Sequence, residues 1–296
     1  MVAENPFNTE NYSDQRDLEL IALALNGDKN SLAELVKRHQ QYIYNIALKI
    51  TNNVENSQDI TQEILIKVIT NLAKYDNSKG KFRTWLYKIT FNYLLNLKKQ
   101  PYEKVMVSFE TFFTYVESSA VAVLSEAEEE ELQLAIEDSK IGCMAGMLMC
   151  LDRGQRLTYI VGEIFEIDHR LASEIFDISP DNFRQKLSRA RKDLHQWMNF
   201  KCGLVNKENP CRCPKKTKGF IANGWVMPGS LKWNSEYAVR INELVKSTMV
   251  DTALTVDELY ARLYREHPFK IPQKMDDIIK EIIGNEHLKS TFYPTI

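Results

Sequence analysis

A short stretch of the chain, KGKFRTWLYKITFNYLLNLKKQ at residues 79–100, concentrates side chains that bind nucleic acid. It contains six basic and five aromatic residues without one acidic residue, although the whole chain of 296 residues has a formal net charge of -2. Cationic groups neutralise phosphates, and aromatic rings stack on unpaired bases. The stretch is therefore compatible with a surface that contacts nucleic acid.

A second cationic segment, RLASEIFDISPDNFRQKLSRARKDLHQWM, begins at Arg170. Ser179 is suited to cap a helix whose first residue is Pro180. A short helix, a turn and a capped helix with a cationic outer face are typical of the helix-turn-helix, which enters the major groove of DNA. Arg and Gln can pair with base edges, and Lys suits phosphates. A basic solvated helix face without a DNA role is the alternative.

The periodicity of the apolar residues predicts the helices that position both segments. Apolar residues recur at intervals of three and four over residues 18–99 and again over 136–200. Residues 101–125 lack this pattern, and residues 101–140 contain 2 basic and 10 acidic residues. The acidic run Glu126–Glu131 is expected to open a helix. The expected fold class is all-α, with two helical domains joined by an acidic linker and a small, mostly helical C-terminal domain.

Composition narrows the class of protein further. The N-terminus is polar and acidic, without the apolar core of a signal peptide, and no apolar run is long enough to span a bilayer. We therefore expect a cytoplasmic protein that does not bind a membrane. The sequence has no Gly-rich phosphate loop, HExxH motif or nucleophile elbow, so an enzyme is not expected.

Three cysteines are candidates for metal ligation. Cys202, Cys211 and Cys213 have a C-x8-C-x-C spacing. With His195 or Cys150 as a fourth ligand they could form a tetrahedral zinc site. The spacing differs from those of the common zinc ribbons, so free thiols in a loop are the alternative. No other cofactor is expected.

Three strings in this order resemble the sigma-70 family of bacterial RNA polymerase sigma factors, in its compact extracytoplasmic-function (ECF) type. They are DITQEILIKVITNLAKYD, KFRTWLYKITFNYLLNLKK, and QRLTYIVGEIF followed by the helix-turn-helix. Residues 18–99 resemble region two of the family and residues 136–200 resemble region four. The resemblance implies a non-catalytic subunit that binds core RNA polymerase and promoter DNA and directs strand opening and transcription initiation. An anti-sigma factor or another regulator would be a further partner.

The resemblance also implies roles for individual residues. Those facing the polymerase are Asp59, Gln62, Glu63 and Lys67. Those facing the minus-ten promoter element are Lys81, Arg83, Tyr87, Lys88, Phe91, Asn92, Lys98 and Lys99. Among these, Asn92 would hydrogen-bond a flipped base beside the loop at residues 75–81, and Tyr87 and Phe91 are expected to be the better exposed rings. Those facing the minus-thirty-five element are Arg184, Gln185, Lys186, Ser188, Arg189, Arg191 and Lys192.

The expected domain boundaries follow from the resemblance and the composition. They are a polar arm at 1–17, region two at 18–100, the acidic linker at 101–135, region four at 136–200, a Cys-rich loop at 201–219 and a C-terminal extension at 220–296. Compact sigma factors usually end soon after region four, so we expect the extension to have a regulatory or interaction role. The alternative function is a stand-alone helix-turn-helix regulator of duplex DNA, which would need neither of the first two strings.

Overall fold

The computed structural model describes residues 12–98 and 108–231. These residues form helices and connecting turns with no β-strand among them, which confirms the all-α class. They divide into two compact units, one containing residues 12–98 and 166–184 and the other containing residues 108–165 and 185–231. None of the described helices combines the length and the apolarity that a bilayer span requires. Most of the predicted N-terminal arm, Lys99 and the predicted helices of the extension lie outside the described residues.

The helices of the described part alternate with short turns. In chain order they are α1 (Asp14–Leu25), α2 (Lys29–Thr51), α3 (Val54–Thr70), α4 (Phe82–Asn96), α5 (Phe109–Ser118), α6 (Glu126–Glu131), α7 (Gln133–Met149), α8 (Arg153–Tyr159), α9 (His169–Phe176), α10 (Pro180–Lys201) and α11 (Cys213–Ala222). Two 3-10 turns, Leu72–Lys74 and Asn77–Lys79, lie between α3 and α4. A π-helical segment, Ile160–Ile164, continues α8.

Side-chain caps determine where the first three helices begin. The side chains of Ser13, Asp28 and Asn53 accept hydrogen bonds from backbone N–H groups in the first turns of α1, α2 and α3. Ser57 lies one turn inside α3, because Asn53 occupies the cap position. The Ser57 hydroxyl is buried against that of Thr51, with an Oγ–Oγ1 distance of 2.8 Å.

A buried carboxylate joins α1 to α2. Asp17 is fully buried and accepts hydrogen bonds from the Tyr12 hydroxyl at 2.5 Å and from Arg38 Nε at 2.9 Å. His39 Nε2 lies 3.4 Å from Asp17 Oδ2. Burial opposes ionisation of this carboxyl, but the interactions with His39, Tyr12 and Arg38 outweigh burial and hold its pKa below the usual range. Asp17 is therefore an ionised centre of the first unit's polar core.

Helix α5 lies within the segment that was predicted to be a linker. Its buried face contains Phe109, Phe112, Phe113 and Val116, which follow a helical spacing. The rings of Phe109 and Phe113 stack on Trp197 of α10, with centroid distances of 5.7 Å and 5.8 Å. The expectation of an irregular segment is wrong for these residues, because their apolar face finds a partner in α10. The predicted helix at Glu126–Glu131 is confirmed as α6.

A buried arginine holds the end of α7 to α8. Arg156 is 3% exposed and donates hydrogen bonds to the carbonyl oxygens of Leu148, Met149 and Leu151, each at 3.0 Å. The last carbonyls of a helix have no partner within the helix, so they need donors from elsewhere. One guanidinium supplies several such donors in a fixed planar arrangement. Arg156 belongs to the string QRLTYIVGEIF. The cation in this string therefore has a structural role, because it binds the carbonyls at the end of α7.

Helix α11 begins within the segment at 201–219, which was predicted to be a Cys-rich loop. A Cβ atom at Gly219 would lie 2.4 Å from the carbonyl oxygen of Ala120, so only glycine allows α11 to approach this backbone so closely. The N–H of Ala122 donates to the carbonyl of Lys215 at 2.9 Å. The turn after α5 and the helix α11 are therefore packed together within the second unit.

Candidate nucleic-acid and polymerase interface

The helix-turn-helix is formed by α9 and α10, as predicted. Asp168 caps α9, and Asp177 ends it in the left-handed conformation with φ of 57°. The Ser179 hydroxyl accepts a hydrogen bond from the N–H of Asn182 at 3.2 Å, so Ser179 caps α10, and Pro180 is the first residue of that helix. The caps define both ends of the turn between the helices.

The outer face of α10 carries the predicted minus-thirty-five residues. The exposed members are Arg184, Gln185, Lys186, Ser188, Arg189, Arg191 and Lys192. Two of them have an acidic neighbour: Arg184 pairs with Asp181, and Arg191 Nε donates to Glu163 at 2.6 Å. The side chain of Arg191 nevertheless remains 44% exposed. The face can therefore present several donors and cations to a DNA groove.

Two rings that were predicted to be exposed are buried. Tyr87 is 0% and Phe91 is 1% exposed. Phe91 packs on Phe176 of α9 with a centroid distance of 5.2 Å, and Lys88 Nζ lies 3.1 Å from Asp177 Oδ1 at the end of α9. The expectation of exposure is wrong for both rings, because α9 covers this side of α4. In this conformation neither ring can stack on a base.

Arg83 is also buried, which corrects its assignment as a phosphate-binding residue. Its side chain is 3% exposed, and its Nε lies 3.1 Å from Asp14 Oδ1. Lys81 Nζ lies 2.8 Å from the other carboxylate oxygen of Asp14, but the Lys81 side chain is 59% exposed. Arg83 is a core cation that joins α4 to α1, whereas Lys81 can still reach a phosphate.

The half-exposed rings near the start of α4 were not among the residues predicted from the sequence. Tyr75 and Trp85 are both partly exposed, and their centroids lie 5.7 Å apart. The Tyr75 hydroxyl donates to the carbonyl of Gly80 at 2.9 Å, which closes the loop at residues 75–81. An aromatic residue at the start of this loop and another in the first turn of α4 were the available signal.

Asn92 and Lys98, two further minus-ten candidates, are exposed on and after α4. They are positioned where an amide and a cation would be accessible to a nucleic acid. Lys99 lies outside the described residues. Among the predicted minus-ten residues, Lys81, Lys88, Asn92 and Lys98 are therefore accessible, and Tyr75 and Trp85 are partly exposed rings of the same unit.

The predicted polymerase-facing residues share one stripe of α3. Asp59, Glu63 and Lys67 are exposed, and Gln62 is half-buried. The Tyr93 hydroxyl of α4 donates to Glu63, and Lys67 Nζ lies 5.7 Å from the centroid of the Tyr93 ring. Burial and the Glu63 carboxylate raise the pKa of Tyr93 to about 12, so the phenol keeps its proton at neutral pH. The stripe is a polar surface, and its central residue Glu63 is held by Tyr93 of α4.

The three predicted metal ligands come together, but their predicted fourth partners do not join them. Cys202, Cys211 and Cys213 line one small cavity, and neither His195 nor Cys150 lines it. No group of three or more His, Cys, Asp or Glu side chains within residues 12–98 and 108–231 already has the arrangement of a metal site. Burial raises the pKa of the Cys202 thiol to about 11.

Comparisons with known proteins agree with this geometry. The family described as Sigma-70 region 2 matches residues 35–100, which include α3 and α4. The ECF RNA polymerase sigma factor SigW of Bacillus subtilis is 25% identical over 175 residues, covering 57% of this chain and 90% of SigW. The chain is thus similar to sigma factors of the ECF type, and the matched part includes Sigma-70 region 2.

Two other ECF sigma factors and one solved structure are similar to a comparable share of this chain. The ECF RNA polymerase sigma factor SigM of Bacillus subtilis is 23% identical over 169 residues, covering 57% of this chain and 96% of SigM. The ECF RNA polymerase sigma factor SigE of Mycolicibacterium smegmatis is 22% identical over 166 residues, covering 56% of this chain and 60% of SigE. A solved structure of CnrH in complex with the cytosolic domain of CnrY is 21% identical, with a TM-score of 0.44, over 62% of this chain and 97% of CnrH.

Proposed function

We propose that this chain is a promoter-specificity subunit, which binds core RNA polymerase and directs promoter recognition, strand opening and transcription initiation. The observation that carries the proposal is the match of region two over α3 and α4, because a stand-alone regulator of duplex DNA needs neither helix. The polymerase supplies the chemistry of RNA synthesis, and this chain supplies recognition without catalysis of its own. It would act in the cytoplasm, where its template is.

The polar stripe of α3 is the proposed contact with core polymerase. A surface of carboxylates, an amide and a lysine suits an interface that forms and dissolves with each round of initiation, because its groups are also well solvated in the free protein. Tyr93 holds Glu63 in place, so part of the stripe is ordered before the polymerase binds. Opposite charges on the polymerase would then pair with Asp59, Glu63 and Lys67.

The region around the loop at residues 75–81 is the proposed contact with the opened minus-ten element. Tyr75 and Trp85 offer ring edges and faces, and the exposed Asn92 offers an amide that can hydrogen-bond a base. Lys81 and Lys98 would neutralise backbone phosphates. An unpaired strand requires rings that contact its bases and cations that neutralise its phosphates. The helix α4 and the loop before it supply both.

The outer face of α10 is the proposed contact with the minus-thirty-five element. A helix that follows a capped turn can enter the major groove and present its first turns to base edges. Arg184, Gln185 and Arg189 are the proposed base readers, and Lys186 and Lys192 are the proposed phosphate contacts. An anti-sigma factor or another regulator is a further proposed partner, and residues 220–296 are proposed to have a regulatory or interaction role.

Replacing Arg189 with alanine should reduce sequence discrimination on the minus-thirty-five side. Each lost base contact of this kind is worth about 1–3 kcal/mol of discrimination. The measurement is competition binding of the holoenzyme to promoters that vary at single positions. Lys186→Ala on the same helix is the matched control, because loss of a phosphate contact should weaken binding to every promoter about equally. An unchanged preference in Arg189→Ala would remove Arg189 from the base-reading set.

Reversing the charge of Asp59 should weaken binding to core polymerase. A charge reversal at a complementary interface both removes an attraction and adds a repulsion, so we expect Asp59→Lys to lower the affinity by about tenfold or more. Glu19→Lys on α1 is the control, because Glu19 is exposed, lies outside the stripe and undergoes the same change in charge. The measurement is co-purification and titration with labelled core enzyme.

The same titration tests the proposed function as a whole. Wild-type chain should bind core polymerase, and Glu19→Lys should bind it equally well. If the wild-type chain does not bind core enzyme but still binds duplex DNA by itself, the protein is the stand-alone regulator instead. If Asp59→Lys and Glu19→Lys bind equally, the α3 stripe is not the contact surface.

A further inference from the structure

Four of the five cysteines surround a single small cavity in the second unit. Cys143 of α7, Cys202 directly after α10, and Cys211 and Cys213 at the start of α11 all line it. Cys202 is buried and the other three are partly buried. Cys143 lies 59 residues before Cys202 in the sequence, so spacing gave no indication that it would join the other three.

The backbone around these cysteines is held in a close turn. A Cβ atom at Gly203 would lie 1.9 Å from the carbonyl oxygen of Cys211, so the chain just after Cys202 touches the chain at Cys211. Asn209 Nδ2 donates to the carbonyl of Cys202 at 3.1 Å, and Arg212 donates to the carbonyl of Lys207 at 2.5 Å. These backbone and side-chain contacts therefore bring the four cysteines together without a ligand.

Two lysines line the same cavity, although a purely apolar core would exclude them. Lys216 is 8% exposed, and its ammonium donates to the carbonyls of Glu117 at 2.9 Å and Ser119 at 2.7 Å. Lys140 is 6% exposed and its ammonium donates to Glu137 at 2.5 Å. A buried ammonium is costly unless its charge is compensated. The carbonyls of Glu117 and Ser119 are neutral, so they do not cancel the charge of Lys216, which can compensate a nearby negative group.

The size of the cavity matches a single ion. Its volume is about 20 Å³, and roughly 10–15 Å³ on this measure is enough for one water molecule. A divalent ion with four thiolates carries an overall charge of about minus two, which the ammonium of Lys216 would partly offset. Thiolates, tetrahedral coordination and a closed shell of protein ligands are typical of structural zinc.

We propose that Cys143, Cys202, Cys211 and Cys213 bind one Zn²⁺ ion, which fastens the segment between α10 and α11 to α7. Three of these residues were candidates from the sequence, and Cys143 takes the place that His195 or Cys150 was expected to fill. The thiols of the described chain do not yet stand in metal-site geometry, so their side chains rotate into the cavity and release their protons when the ion binds.

The test is the zinc content of the full chain purified without chelator, compared with two matched variants. Wild type should contain about one equivalent of zinc. Cys143→Ser should lose it, whereas Cys150→Ser should retain it, because Cys150 lies on the same part of the chain but does not line the cavity. In the variant series, equal zinc contents for Cys143→Ser and Cys150→Ser would overturn the assignment of Cys143.

A second measurement keeps the proposal testable even if Cys143→Ser does not fold. Wild-type chain is stripped of metal under reducing conditions and titrated with Co²⁺, whose absorption reports both tetrahedral geometry and thiolate ligation. A saturable thiolate-to-cobalt band at about one equivalent, displaced by Zn²⁺, supports the site. The absence of both zinc and this band, including a finding that the cysteines form disulfides instead, would overturn it. Either result leaves the binding of core polymerase as a separate question.

Discussion

Asp17→Asn should be among the most destabilising single substitutions in the first unit. Asp17 is fully buried and accepts hydrogen bonds from Tyr12 and Arg38, with His39 beside it. Removing one member of a buried charge pair leaves the other without compensation and costs about 3–5 kcal/mol. The expected result is a loss of this size in the free energy of unfolding at pH 7, measured by urea denaturation and circular dichroism.

The effect of Asp17→Asn should depend on pH in the acid range. The folded pKa of Asp17 is lower than its usual value of 3.8, so the stability that its carboxylate confers is fully present above that value. This contribution is lost as the pH falls through the folded pKa. The difference in stability between wild type and Asp17→Asn should therefore shrink below about pH 4.

Glu19→Gln is the matched control for this prediction. It makes the same change from carboxylate to amide on the same helix, but Glu19 forms an exposed ion pair with Arg16, with side chains 50% and 41% exposed. Exposed pairs contribute about 0–1 kcal/mol. Equal stability losses in Asp17→Asn and Glu19→Gln, or a difference that persists unchanged at low pH, would contradict the role assigned to the buried carboxylate.

Arg156→Met should have a comparably large effect on the second unit. Methionine fills part of the same volume but removes the hydrogen bonds to the carbonyls of Leu148, Met149 and Leu151. A buried polar group that loses its partner costs about 1–3 kcal/mol, so the loss of several such bonds predicts about 4 kcal/mol in total. The measurement is the free energy of unfolding, followed by the fluorescence of tryptophan as α10 separates from α5.

Arg170→Met is the control for the second prediction, since Arg170 is exposed on α9. A surface substitution of this kind should change the stability by less than about 0.5 kcal/mol. Should Arg156→Met be as stable as Arg170→Met, the carbonyls at the end of α7 must be satisfied in another way. In that case the guanidinium does not hold α7 to α8.

Local signals in the sequence were sufficient to predict the helix-turn-helix. Ser179 and Pro180 act within one turn of the chain, so their effect on the start of α10 does not depend on distant residues. The spacing of Phe109, Phe112, Phe113 and Val116 is equally helical, but it was hidden within an acidic and otherwise irregular segment. The apolar face of α5 is stabilised by packing on Trp197 of α10. Trp197 is far away in the sequence, so local patterns do not reveal this contact.

Burial on α4 could not be predicted from α4 alone. Tyr87 and Phe91 lie on a side of the helix that is covered by α9, and α9 begins 78 residues after Phe91. Arg83 resembles a phosphate-binding residue by type and position, but its partner Asp14 comes 69 residues earlier in the chain. Exposure depends on such long-range contacts, so residue type and spacing could predict a surface region but not which side chains are accessible on it.

The cysteines illustrate the same limit. Cys202, Cys211 and Cys213 are close in sequence and were predictable as a group, whereas Cys143 reaches them only through the packing of α7 against α11. Lys140 and Lys216 also join the cavity from these two helices. Their presence beside the thiols is a property of the tertiary fold, not of the motif.

Run-off transcription with purified core RNA polymerase, across a library of promoter sequences, tests the central claim most directly. Addition of this chain should produce transcripts with defined start sites from a subset of promoters, and core enzyme alone should not produce them. Asp59→Lys should reduce all of these transcripts together, because it acts on binding to core. Transcripts whose start sites are the same with and without the chain would contradict the claim that it confers promoter specificity.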